Sequence, residues 1–308
     1  MPGHRLAYAE LQDTKGSGVL KDRSGRPASK RKTDKNAWIR FILQLLFFVF
    51  IPSAYSAAFA GVRNIFVQIG SEKSIEFTSF TAILILLLAY TVIFGRFFCG
   101  YACAFGSLGD WIYSVRAWIC LKLGRKAKAI PEKIMSGLSY IKYANLILIA
   151  LFCTAGIYEK AHGFSPWEVF SGLRAFTLDA AGYKAGIAIL LLIIIGMAAH
   201  ERFFCRVLCP MGAVFAILPV LPFLSLRRSR SECIKGCRAC SSKCPASVEL
   251  PADGSWETSS DCFQCGKCTG TCPKSNIHCG IKVIRGNEIW FTILRAALLA
   301  ILMVLIGI

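Results

Sequence analysis

The stretch "ILILLLAYTVIFGRFFCGYACAFG", Ile83–Gly106, decides how this chain is read. An apolar run stops at a glycine and an arginine, and two cysteines follow four residues apart. The pattern returns as "RFFCRVLCPMG", Arg202–Gly212, again at the end of an apolar run. Cys99 and Cys205 are 106 residues apart, as are Cys103 and Cys209. A thiol pair placed twice at the same edge of an apolar segment predicts a parallel internal repeat. Its two units run the same way through a membrane and are related by an axis along the membrane normal.

Composition agrees. The 308 residues are 55% hydrophobic with a mean hydropathy of +0.53, a load that points to a membrane protein. Net charge is +18, from 36 basic and 18 acidic residues. That balance would suit nucleic acid, but the basic residues flank apolar spans, where they set topology, so no nucleic acid is expected. Fifteen cysteines are many for this length. The first 36 residues hold no apolar signal segment, which puts the thiols on the reducing, cytoplasmic side, where clustered cysteines mean metal rather than disulfides.

A helix needs about 20 apolar residues to cross a ~30 Å hydrocarbon core. Five stretches approach this: Ala37–Ala60, Thr78–Gly95, Ile141–Ile157, Ala185–Ala199 and Ile289–Ile308. Arg295 sits inside the last and must snorkel or pair. Arg116, Lys122, Arg125, Lys126, Lys128 and Lys133 crowd one loop, and Arg202, Arg206, Arg227, Arg228 and Arg230 follow the fourth span. The positive-inside rule puts both, and the N-terminus, in the cytoplasm, so both "RFFC" stretches share that face. The expected layout is a disordered basic arm over 1–36, a two-repeat membrane domain over 37–227, a soluble module over 228–285 and a C-terminal membrane helix over 286–308.

The soluble module holds the most specific motif. "CFQCGKCTGTCP" places Cys262, Cys265, Cys268 and Cys272 in C-x2-C-x2-C-x3-C-P, the bacterial ferredoxin spacing. Before it, "CIKGCRACSSKCP" places Cys233, Cys237, Cys240 and Cys244 in the same order with one extra residue in the first gap. A zinc ribbon pairs two-cysteine knuckles and needs no third close thiol. In two-cluster ferredoxins the fourth cysteine of each run serves the other cluster. The expected ligand sets are therefore Cys233, Cys237, Cys240 and Cys272 for one [4Fe-4S] cluster, and Cys262, Cys265, Cys268 and Cys244 for the second. Pro245 and Pro273 end the short helices that carry them.

On a regular helix, i and i+4 put both thiols of a membrane pair on one face. Two pairs joined by pseudo-symmetry make four thiolates, the number a cluster takes, so Cys99, Cys103, Cys205 and Cys209 are expected to hold an additional Fe-S or other metal centre. Buried structural cysteines, a local disulfide, palmitoylation and zinc remain open from the spacing alone. Arg96 and Arg202 either offset a cluster's charge or anchor the interface. Cys120 and Cys153 read as packing residues and Cys279 as a bystander. His200 caps the fourth span or meets a quinone head group. No carboxylate lies within the spans, which excludes an intramembrane proton relay. No Gly-rich phosphate loop follows a strand.

The two "RFFC-x3-C-x-x-G" stretches, the tandem ferredoxin motifs and the four preceding spans resemble the NapH/NosR-type membrane polyferredoxin family. The likeness covers residues 38–285. Members carry C-x3-C-P in both membrane motifs; here Ala104 follows the first pair and only the second is followed by Pro210. The resemblance implies an α-helical integral membrane protein of about five spans with a small α+β bacterial two-cluster ferredoxin-like domain. It implies electron transfer between a cytoplasmic donor or the quinol pool and a partner redox protein, as a subunit rather than a stand-alone enzyme. The flavin-binding domain of one branch has no counterpart, so a flavin would belong to a flavoprotein partner. The alternative is a redox or metal-handling accessory factor that matures another metalloenzyme. A purely structural subunit, whose membrane motifs only anchor the soluble module, is a further alternative.

Overall fold

The computed structural model describes residues 35–72, 77–124, 130–158, 163–174, 176–177, 182–221, 225–229, 233–234, 237–251, 253–257, 259–274, 276–279 and 288–307. The expected basic arm, Arg125, Lys126 and Lys128 of the charged loop, Arg230, and residues 280–285 of the soluble module lie outside them.

The first apolar stretch is two helices, not one. α1 (Lys35–Phe50) stops before Pro52, and α2 (Ala54–Gly70) leaves at 62° to it. Proline lacks the N–H and clashes with the preceding turn, so an apolar run that reads as one span is broken. α3 (Ser79–Phe94) starts at Thr78, whose side chain accepts the Thr81 N–H. α4 (Ala104–Lys122) extends into the charged loop expected over 116–137 and takes in Arg116 and Lys122. α5 (Glu132–Leu138) and α6 (Ile141–Thr154) run on as one 23-residue apolar element. α7 (Pro166–Arg174) is short; α8 (Lys184–Ala199) is apolar after Lys184, and α12 (Glu288–Ile306) is apolar apart from Glu288, Thr292 and Arg295.

Glu132–Thr154 and α12 are each long and apolar enough to cross a bilayer, and the bent α1–α2 pair makes a third candidate. α3 and α8 have 16 residues each, about 24 Å at the helical rise. Their outer faces remain apolar: Leu191, Leu192 and Ile195 are largely exposed, as are Ile301, Val304 and Leu305 on α12. Exposed apolar faces of this size mark a membrane or protein interface. Inside, α2 packs on α3 and α6, α4 and α7 pack on α8, and α12 packs on α3. Tyr90 of α3 donates to the Arg295 carbonyl at 2.9 Å, tying α3 to α12. Arg295 itself is buried between the rings of Phe97 and Phe291 instead of reaching water.

The soluble part is small. β1 (Leu226–Ser229) is the centre of a three-stranded antiparallel sheet, with β2 (Asp253–Trp256) and β3 (Ile277–Cys279) at its edges. α10 (Ala239–Ser242) and α11 (Lys267–Thr271) are single turns that carry the cysteine runs. Leu226, Leu250 and Ile277 pack directly on Cys240 and Cys262, so the thiols are part of this module's core. β1 begins two residues before the expected boundary at 228.

Candidate thiol centres and their contact

Both membrane pairs are built the same way, and not as the i, i+4 helix pair that spacing suggests. Phe98–Ala102 and Phe204–Leu208 each form one π turn. In each, the second cysteine's N–H reaches back five residues, Cys103 to the Phe98 carbonyl and Cys209 to the Phe204 carbonyl, both at 2.9 Å. Wider turns of this kind gather at functional sites because they re-aim side chains. The second cysteine is then extended, with φ/ψ of −70°/120° at Cys103 and −71°/114° at Cys209. It becomes the N-cap of the next helix, α4 in one copy and α9 (Pro210–Ile217) in the other. In the second copy the sulfur does the capping, Cys209 Sγ accepting the Gly212 N–H at 3.1 Å. The glycine common to both motifs now has a reason. A Cβ at Gly106 would lie 2.7 Å from the Cys99 carbonyl oxygen, and one at Gly212 would lie 2.8 Å from that of Cys205.

All four thiols are 3–5% exposed and lie within electrostatic reach of one another. Cys99 senses Cys205 and Cys209, and Cys103 senses Cys205. Phe98, Phe105, Phe204 and Phe215 enclose them with apolar rings. Tyr55 of α2, also buried, places its hydroxyl oxygen 3.8 Å from Cys209 Sγ, whose thiol donates to it.

The arginines that precede the pairs are both buried. Arg202 adopts a left-handed backbone, φ 60°, and grips Asp110 of α4 with two bonds, at 2.8 and 2.5 Å. It also donates to the carbonyls of Cys99 and Gly100 in the other copy. Gln44 of α1 donates to the same carboxylate at 2.8 Å and to the Gly100 carbonyl at 3.1 Å. Burial alone would raise the Asp110 carboxyl, but the Arg202 guanidinium overrides it and holds the group at about 2. Arg96 instead reaches out of the membrane domain, to Asp261 at 3.0 Å, which Lys142 also meets at 3.1 Å.

In the soluble module, Cys233, Cys237, Cys240 and Cys272 line one pocket together, so the fourth thiol of the second run does join the first three of the other. Cys262, Cys265, Cys268 and Cys244 form the complementary group: Cys262 senses Cys265 and Cys244, and Cys268 senses Cys262, Cys265 and Cys244. Cys268 also senses Cys240 of the first group, so the two sets adjoin. Burial pushes the thiols of Cys262, Cys265 and Cys268 up, which makes them poor free nucleophiles. Among the described residues no three His, Cys, Asp or Glu side chains converge on the position of a single ion. Four thiols in each group is the number a [4Fe-4S] cluster takes.

The second run is seated on the membrane quartet. Gly100, between Cys99 and Cys103, lies so close under the Phe263 carbonyl that no Cβ would fit. The Tyr101 hydroxyl donates to the Cys265 carbonyl at 3.4 Å. The Phe263 ring is flanked by both repeat arginines, with Arg96 at 5.8 Å and Arg202 at 5.5 Å from its centroid. Lys267 pairs with Glu201, and Ser260 donates to the Ala216 carbonyl at 2.6 Å.

A family model described as "4Fe-4S binding domain" matches residues 77–127 and again 184–228, one match for each copy of the repeat. An uncharacterized protein of Methanocaldococcus jannaschii is 30% identical over 238 residues, 77% of this chain and 84% of that one. The chain belongs to the NapH/NosR-type family of iron–sulfur membrane proteins. The ferredoxin-type protein NapH of Haemophilus influenzae is 28% identical over 61% of this chain and 63% of its own length. The putative electron transport protein YccM of Escherichia coli is 26% identical over 62% of this chain and 54% of its own. No solved structure matches the chain.

Several residues at the site carry no motif. Asp110, Gln44, Tyr55 and Phe263 became visible only through their contacts; the one available hint was Asp110 as an acidic residue in an otherwise apolar stretch. Of the remaining sequence candidates, Cys153 is a buried packing residue as expected. His200 ends α8, its backbone N–H on the Gly196 carbonyl and its Nδ1 2.8 Å from the Glu201 carbonyl oxygen.

Proposed function

We propose that this protein carries electrons between a cytoplasmic redox partner and a carrier on the membrane side, along three thiol centres in series. Cys233, Cys237, Cys240 and Cys272 hold the outermost [4Fe-4S] cluster. Cys262, Cys265, Cys268 and Cys244 hold the next, and Cys99, Cys103, Cys205 and Cys209 hold a third Fe-S centre. Clusters of this type, when bound, supply one-electron transfer at a potential set by their surroundings. The chain supplies those surroundings. Apolar rings exclude water from the quartet, the Gly212 N–H is given to the Cys209 sulfur, and the Tyr55 hydroxyl lies beside that same sulfur. Arg202, neutralised by Asp110, stiffens the joint between the copies.

The observation that carries this reading is the seat of the Cys262–Cys265 segment on Gly100, with Phe263 between Arg96 and Arg202. A mere anchor would not need its ligand loop against the backbone that joins Cys99 and Cys103. The proposed topology has five spans, with the N-terminus and the 228–285 module in the cytoplasm. The partner is a redox protein, such as a flavoprotein, or the quinol pool. Iron and acid-labile sulfide counts with an EPR-monitored redox titration test the reading. Three titrating centres are expected; changing Cys99, Cys103, Cys205 and Cys209 to Ser should remove one and slow electron transfer. If iron content and rate both survive that change, the third centre does not exist.

A further inference from the structure

β1 carries two adjacent arginines, and neighbours on a strand point to opposite faces. Arg227 lies over the Trp256 ring, 5.3 Å from its centroid. Arg228 instead lines the pocket shared by Cys233, Cys237, Cys240 and Cys272. Its Nη1 donates to Cys240 Sγ at 3.3 Å and its Nη2 to the Leu250 carbonyl at 2.7 Å, so the guanidinium is held from two sides. Its Nε is enclosed and has no hydrogen-bond partner. Among the described residues no carboxylate pairs with Arg228. A guanidinium stays charged at any working pH, and a charge taken out of water without a counter-ion is costly. The counter-charge that fits this place is an anionic cluster on the four thiols.

The other sulfurs are served differently. Asn276 gives neutral donors to two more thiols of this group, its backbone N–H to Cys272 Sγ at 3.3 Å and its Nδ2 to Cys233 Sγ at 3.7 Å. In the second group, among the described residues, no side chain donates to the sulfur of Cys244, Cys262, Cys265 or Cys268. Cations such as Arg40 and Arg202 act on Cys265 at longer range. Reduction adds one electron, and with it negative charge, to iron and sulfur that four thiolates already make anionic; no bond breaks and no proton moves. A hydrogen bond from a charged donor strengthens as its sulfur gains charge, so it favours the reduced form. We propose that Arg228 is a positioning residue for the outermost cluster, fixing the Cys240 sulfur and raising the reduction potential through its permanent positive charge. The proposal rests on the electron-transfer reading and deepens it. Cys237 of the same group is exposed, so this is the cluster a cytoplasmic partner meets, and Arg228 sets the driving force of that exchange.

The test is an EPR-monitored dithionite titration of the full chain in detergent, with Cys240→Ala marking which signal belongs to the outermost cluster. Arg228→Gln keeps a donor for the Leu250 carbonyl and removes the charge. At the parent's midpoint its ratio of reduced to oxidised outermost cluster should be about tenfold lower, a fall of about 59 mV for one electron. Arg228→Lys, which keeps a charge, should stay within about threefold of the parent. The other centres should not move, and iron content should be unchanged. Should Arg228→Gln lose iron, Arg228→Met is read in its place. A midpoint that stays put in the neutral variant overturns the proposal, as does an equal fall in Arg228→Lys or a fall shared by every centre. Iron lost from both neutral variants makes Arg228 a counter-ion for assembly only, which also overturns it. A moved midpoint in a protein that exchanges no electrons with a cytoplasmic donor defeats the electron-transfer reading alone. An unmoved midpoint in one that does exchange them defeats the role of Arg228 alone.

Discussion

The two copies of the repeat share one backbone and have diverged in what they hold. Each makes a π turn, an extended second cysteine that caps the next helix, and a glycine pressed against the first cysteine's carbonyl. Ala104 stands where Pro210 does, yet Cys103 and Cys209 differ by only 6° in ψ. The side chains then part ways. After the first cysteine, copy one has Gly100 and receives the soluble module on bare backbone. Copy two has Arg206, which reaches Glu132 at 2.7 Å, Ser247 at 3.2 Å and the Pro245 carbonyl at 3.3 Å. Arg202 looks inward to Asp110, and Arg96 looks outward to Asp261. The lesson is that symmetry is kept where the thiols are aimed and abandoned where the module docks.

The most severe way to break the symmetry is to remove thiols one copy at a time. If the four form one centre, Cys99→Ser/Cys103→Ser and Cys205→Ser/Cys209→Ser should lose the same iron, roughly a third of the total if each of three sites holds four irons. Unequal loss in the iron assay would mean two unlike half-sites.

The arginines should differ next. Arg202→Gln leaves Asp110 buried and unpaired, a change that costs about 3–5 kcal/mol in such settings. Arg96→Gln faces Asp261, whose side chain is 54% exposed, and should cost about 1 kcal/mol or less. Denaturant unfolding in detergent checks the ranking; equal costs would refute the distinction drawn here.

The glycines should agree. Gly106→Ala and Gly212→Ala each drive a methyl toward a carbonyl, for an expected loss of about 1–3 kcal/mol in either copy, read by the same unfolding assay.

Ala104→Pro should be the mildest substitution. The extended backbone of Cys103 already suits a following proline, and Ala104 is the first helical residue, where no intrahelical N–H bond is lost. A gain of about 0.4–1 kcal/mol is expected from the stiffer unfolded chain. A loss of stability or of iron would show that the copies are less alike than their backbones.

The smallest effect is one of pH. Burial would raise the Asp261 carboxyl, but Arg96 and Lys142 outweigh it and hold the group below the usual carboxylate range. A lowered folded pKa stabilises above the unfolded value, and that contribution is lost as pH falls through the folded one. Contact between module and membrane domain should therefore loosen slightly in acid, below about pH 4. Hydrogen exchange at residues 259–265 should report it in the parent and not in Asp261→Asn.

Much of the site was legible in the chain. Thiols that bind iron must recur at short, fixed intervals, so the ferredoxin runs could be read from spacing; Cys233, Cys237, Cys240 and Cys272 line one pocket. The break at Pro52 was hidden because an apolar run gives length but not direction. The π turns were hidden because i, i+4 spacing is as compatible with a regular helix. α4 runs on to Lys122, past the expected start of the charged loop at Arg116, because basic residues mark a membrane edge and not a helix end.

The sequence by itself determined that the thiols come in two matched pairs and two ferredoxin-spaced runs, because residue type and spacing are local properties. Only the tertiary structure decided that the pairs face each other, that Arg202 is answered by Asp110, and that the Cys262–Cys265 loop rests on Gly100. Those contacts join residues about 90 to 165 positions apart, and the packing of whole helices, not any short motif, brings them within reach.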